Sequence, residues 1–188
     1  MLVITEARLR SGDVVDVHCA DSRISALVPT GAHAVPADAT VVEAGGGLVT
    51  EPFVDAHLHL DKVRTLPLIG DEALRAYTER GMAGSAAAID LASAVKRHYT
   101  VEGLLPNVRQ ALADGLRHGV LHVQAFADVD TAAGLAGVRA VLTAREEVRD
   151  VVDVRVVSWR GSGASSVSIA TGSPRRAASA QAHSTCAC

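Results

Sequence analysis

Lysine is nearly absent: Lys62 and Lys96 are the only two in 188 residues, and arginine carries the remaining side-chain positive charge. Cysteine is almost as scarce, limited to Cys19, Cys186 and Cys188. An odd number, with two at the extreme end, excludes a disulfide framework. Cys186-x-Cys188 lacks both the spacing and the partners of a zinc site. No apolar run approaches the roughly 20 residues of a membrane span, so no membrane partner is expected. No basic start followed by an apolar block marks a secretory leader, and the expected location is the cytoplasm. Formal net charge is −3, without the basic excess that a nucleic-acid partner would require. What is present is 48% hydrophobic. That composition fits a soluble globular chain, one large domain or two small ones, with a sizeable core.

The most informative stretch runs from Gly45 to Lys62. A glycine run permits a turn, and Pro52 then fixes one dihedral at the mouth of a strand. From Phe53 polar and apolar residues alternate. Phe53, Asp55, His57, His59 and Asp61 are expected on one face, with Val54, Ala56, Leu58 and Leu60 packing under helices on the other. Two imidazoles on one strand face stand about 6.5–7 Å apart at Cα. That spacing lets both reach one ion, about 2.0–2.1 Å from each nitrogen if the ion is zinc. Asp55 and Asp61 flank the pair as carboxylates that could orient the rings.

Before this stretch, residues 1–50 read as short strands: one from Leu2, Val14–Cys19, Arg23–Val28 and a resumption at Val41-Val42, with turns at Ser11-Gly12-Asp13 and Asp21-Ser22. Regular short strands suggest a small β-sandwich segment. After it, helices are expected over 71–78 and 85–98. A further helix runs toward His118, capped by Thr100 or beginning at Pro106 as N1, and stopped at Gly119. Val120–Asp128 reads as a strand with Leu121, Val123, Ala125 and Ala127 toward helices and His122, Gln124, Phe126 and Asp128 facing the interior. A helix over 132–149 is expected to bury Leu135, Val138, Val141, Leu142 and Val148, with Asp130 or Thr131 as cap; a strand over 151–158 follows. Strands separated by helices imply a parallel sheet.

Pro52-Phe53-Val54-Asp55-Ala56-His57-Leu58-His59-Leu60-Asp61-Lys62 closely resembles the first barrel strand of the amidohydrolase superfamily, and its Asp-Lys ending points to the cytosine-deaminase-like branch. His118-Gly119, with the strand that ends in Asp128-Val129-Asp130, is similar to that branch's second barrel strand. The resemblance implies an α/β chain: a β-sandwich segment over 1–50, then an incomplete TIM-type (β/α) barrel of three βα units over 51–158. It implies one divalent metal ion, zinc or iron, held in part by His57 and His59. That metal activates water to attack a carbon bearing an amine or amide in a small cyclic nitrogenous substrate. Lys62, Gln124 and Phe126 are the implied substrate contacts, although relatives often carry Arg and His at the last two positions. Oligomerisation is compatible with this reading. A dihydroorotase-like or N-acyl hydrolase, or a non-catalytic remnant, are the alternatives.

A complete barrel takes about 250 residues; far fewer follow Phe53, so the chain is expected to hold half of a metal site and to be inactive alone. From Trp159 the composition shifts to Ser, Ala, Gly, Thr and Arg, and Leu, Asp and Glu vanish. Residues 159–188 are therefore expected to form a disordered tail. A change of reading frame near Ser158 would account for it.

Overall fold

The structure, a computed structural model, describes residues 1–71, 75, 95–129 and 131–160. Most of the two helices expected over 71–78 and 85–98 lies outside the described residues, as do Asp130 and everything from 161. The chain is mixed α/β and divides into two compact units, Met1–Pro52 and a second beginning at Phe53.

In the first unit, β1 (Leu2–Arg8), β2 (Val14–Ala20), β3 (Arg23–Pro29) and β4 (Thr40–Glu43) form a sheet of order β3-β2-β1-β4. Only the β1–β4 pairing is parallel. Among the described residues the expected short strands thus form a single four-stranded sheet. Ala7, Val17 and Cys19 form its buried apolar cluster. Asp16 is buried beside them, and a buried carboxylate needs partners. It accepts the Glu6 N–H at 3.0 Å and the Gly31 N–H at 3.1 Å. Glu6 sits at φ +54° where the β1–β2 register shifts, so Asp16 satisfies the N–H that this irregularity takes out of the ladder. The Glu6 hydrogen bond, aided by Gly31 and opposed by burial, holds the Asp16 carboxyl below its usual pKa.

The second unit contains β5 (Phe53–Leu58), a single helical turn α1 (Leu66–Ile69), a 3₁₀ turn (Lys96–His98), α2 (Val101–Arg117), β6 (Val120–Val129), α3 (Ala136–Val148) and β7 (Asp153–Arg160). The sheet order is β5-β6-β7 and both pairings are parallel. Thr100 caps α2, its Oγ1 accepting the Gly103 N–H at 3.0 Å. The Pro106 start is therefore not used. Pro106 lies inside the helix on its exposed side, where water can take the carbonyl that loses its partner. Gly119 ends the helix at φ +80°, and its carbonyl accepts the Phe53 N–H at 2.8 Å.

Leu104, Val108 and Leu112 of α2 pack with Val123, Ala125, Ala127, Val154 and Val156 of the sheet. The helix expected over 132–149 begins four residues later, and its buried stripe differs. Gly137, Ala140, Val141 and Ala144 are buried, while Leu135 is 48% exposed. Small residues let this helix approach closely, so the largest side chains fall to the flanks. β7 continues through Trp159 and Arg160, past the expected end at Ser158, still paired with Asp128 and Val129.

Candidate functional site

The β5–β6 ladder carries a bulge. Asp55 pairs with Val123 and Leu58 with Ala125, so β5 spends one residue more than β6 over this interval. An extra residue resets the two-residue alternation of faces. The expected faces are corrected accordingly. Val54 and Ala56 line an open depression of about 260 Å³ with His122 and Gln124, whereas Asp55 and Leu58 line the α2 side. His57 stays on the open face, and His59 follows the strand rather than belonging to it. Asp55 reaches His57 through the backbone: its Oδ1 accepts the His57 N–H at 3.1 Å. From Val123 onward β6 follows its alternation, with Val123, Ala125 and Ala127 buried toward the helices; at its start the register shifts, and Val120 rather than Leu121 packs on that core.

The two imidazoles come together at the C-terminal end of β5, with ring centroids 5.3 Å apart and planes inclined by 58°. Phe126 from β6 joins them. It stacks on His57 at 4.2 Å and stands 5.7 Å from His59. Gln124 is not part of this cluster; it faces the depression beside Asp153 and Arg155.

Beneath His59 lies a charged cluster. Lys62 Nζ is 3.3 Å from His59 Nδ1 and 2.8 Å from Asp128 Oδ2. Lys96 Nζ is 2.5 Å from the same Asp128 oxygen. Asp61 is buried, and its Oδ2 accepts the Asp128 backbone N–H at 2.8 Å. Burial drives the Asp128 carboxyl up, but the hydrogen bonds from Lys62 and Lys96 prevail and hold it below its usual value. Burial raises the Asp61 carboxyl, against the Asp128 N–H and Lys62. Burial lowers His59, with the Lys62 charge adding to it, so this ring is held toward its neutral, donor-bearing form.

The residues suit a metal in one further respect. Asp61 Oδ1 is buried with no hydrogen-bond partner, and it lies 3.8 Å from His59 Nδ1. An imidazole bound to an ion through one nitrogen carries its proton on the other, and a nearby carboxylate is the usual acceptor. Among the described residues no group of three or more His, Cys, Asp or Glu side chains is placed to hold an ion. The histidine pair brings two nitrogen donors together. Lys96 was not singled out in the sequence; being one of two lysines in an arginine-rich chain was the available signal.

No family model matches the chain. It is 35% identical over 122 residues to N-isopropylammelide isopropyl amidohydrolase of Pseudomonas sp. (strain ADP), which covers 65% of this chain and 29% of that protein. The chain thus spans less than a third of the curated relative it matches. Among solved structures it is similar to 5-methylcytosine deaminase from Klebsiella pneumoniae liganded with 5-fluorocytosine. That match has a TM-score of 0.66 and 27% identity, over 84% of this chain and 36% of that one. Atrazine chlorohydrolase from Arthrobacter aurescens complexed with zinc shares the fold, with a TM-score of 0.58 and 15% identity over 85% of this chain and 35% of that one. The His-x-His at the C-terminal end of β5, the parallel sheet beside it and these relatives together match the N-terminal part of amidohydrolase-superfamily enzymes.

Proposed function

We propose that this chain supplies the first three strands of a (β/α) barrel and half the metal site of a hydrolase that cleaves C–N bonds in a small nitrogen heterocycle. One observation carries the reading: His57 and His59 stand 5.3 Å apart at the C-terminal end of a parallel strand, the end at which barrel enzymes assemble their sites. The named substrates of the similar proteins, an alkylamino-substituted ring and a cytosine, support the substrate class.

In this reading His57 and His59 hold one divalent ion, zinc or iron. The ion, when bound, supplies an acidified water for attack on the ring carbon. Asp61, its Oδ1 3.8 Å from His59 Nδ1, stands beside that ring, while Asp55 fixes the backbone at His57. Phe126 holds the His57 ring by stacking and presents an apolar wall to a flat substrate. Lys62, with its ammonium partly exposed beside His59, offers a donor to a ring oxygen or nitrogen. Gln124 offers an amide deeper on the open face. Two protein donors are fewer than the three of a catalytic zinc site, so the chain alone is expected to bind zinc modestly and to turn over no ring amide.

Zinc titration calorimetry tests this on the full chain. His57→Ala and His59→Ala should each abolish most binding, and His122→Ala, several residues down β6, should not. Unchanged binding after removal of both His57 and His59 would defeat the proposal.

A further inference from the structure

The chain's two lysines end on one oxygen. Lys62 reaches Asp128 Oδ2 from the turn after β5, at 2.8 Å, and Lys96 reaches it from the 3₁₀ turn before α2, at 2.5 Å. Asp128 is buried near the end of β6, and its backbone N–H holds Asp61, two residues beyond His59. Lys62 is also shared, standing 3.3 Å from His59 Nδ1. A buried carboxylate demands compensating charge. With Lys96 meeting part of that demand, Lys62 can bridge Asp128 and His59. Without it, Asp128 would draw Lys62 wholly to itself, and the turn from 59 to 62 would follow.

We infer that Lys96 is a positioning residue for the His57–His59 pair, acting through Asp128 on Lys62 and Asp61. The inference rests on the proposed metal role of the two histidines. It makes a segment outside the sheet, the 3₁₀ turn before α2, part of what aims the site.

The test uses the full chain, zinc titration calorimetry, the visible absorption spectrum of bound cobalt(II), and imidazole resonances of the metal-free chain. Lys96→Met should weaken zinc binding about tenfold, as loss of an outer partner of a metal ligand does. It should also alter the cobalt spectrum and move the His59 resonances. Asp128→Asn should do the same, and the double variant should bind no worse than the weaker single, because both changes cut one path. Arg97→Met, exposed on the neighbouring residue, should bind as the parent does. A folded Lys96→Met chain with parental affinity, cobalt spectrum and His59 resonances overturns the inference, as do losses that add in the double variant. Should Lys96→Met not fold, Asp128→Asn decides by the same criteria. Zinc binding indifferent to His57→Ala with His59→Ala sinks the metal reading itself. Histidine-dependent binding that ignores Lys96 sinks only the positioning role.

Discussion

Gly137 stands against Asp61 so closely that a β-carbon at 137 would lie 2.8 Å from the Asp61 Cβ. Carbon atoms do not approach to that distance without displacement. The second residue of α3 is thus matched to the buried carboxylate behind His59, and the helix sits close because its inner face is Gly137, Ala140 and Ala144. Gly137→Ala would ordinarily favour a helix. Here overpacking should prevail and cost about 1–3 kcal/mol. Urea unfolding measures it. Stability equal to or above the parent would show that α3 can retreat freely.

Much of this site was legible in the sequence, and the misreadings share a cause. Strand alternation placed Val123, Ala125 and Ala127 of β6 correctly but not Leu121, because a register shift at the start of the strand turns Val120 to the core instead. The same rule reversed Val54, Asp55 and Ala56, because the bulge before Leu58 inserts a residue that periodicity cannot see. Hydropathy drew the α3 stripe through Leu135, since it weighs size, whereas close packing buries Gly137 and Ala140 and leaves Val138, Leu142 and Val148 half-buried against the core. The Lys96–Asp128 contact joins residues 32 apart in the chain, and no local pattern announces it.

In the first unit, Asp16 predicts an acid sensitivity. Its folded-state pKa is lowered from the usual 3.8, chiefly by the Glu6 N–H. The folded state therefore binds the proton less readily than the unfolded chain. The stabilisation is fully present above the unfolded value and is lost as pH falls through the folded one. Parent and Asp16→Asn chains, compared by urea unfolding at stepped pH, should differ most near neutrality and converge as pH falls through the lowered folded-state pKa. A gap that stays constant across that range would rule out Asp16 as the source.

Thr100 predicts a smaller effect. Its hydroxyl oxygen satisfies one of the unpaired N–H groups that open α2, at Gly103. Thr100→Ala should cost about 1 kcal/mol, and Thr100→Ser or Thr100→Asp should restore most of it. Thermal unfolding would report this; equal losses for all three variants would point to the Thr100 methyl rather than the cap.

Phe126 offers the most direct probe of the pair of histidines. Its ring lies 4.2 Å from the His57 centroid and 5.7 Å from that of His59, so a ring at 126 stands beside both imidazoles. Phe126→Leu keeps apolar bulk but removes the stack, and should cost about 0.5–1.5 kcal/mol. The His57 ring protons should also move downfield as the ring current is lost. Phe126→His tests the site from the other side. A third imidazole in that position would complete the three-ligand set that catalytic zinc sites use. Zinc should then bind more tightly than in the parent, with a proton released per added neutral ligand below its pKa. Calorimetry in two buffers of different ionisation enthalpy separates the proton from the metal. Affinity unchanged in Phe126→His, on a chain whose His57 and His59 still bind zinc, would mean that the ion sits on the side of the pair away from β6.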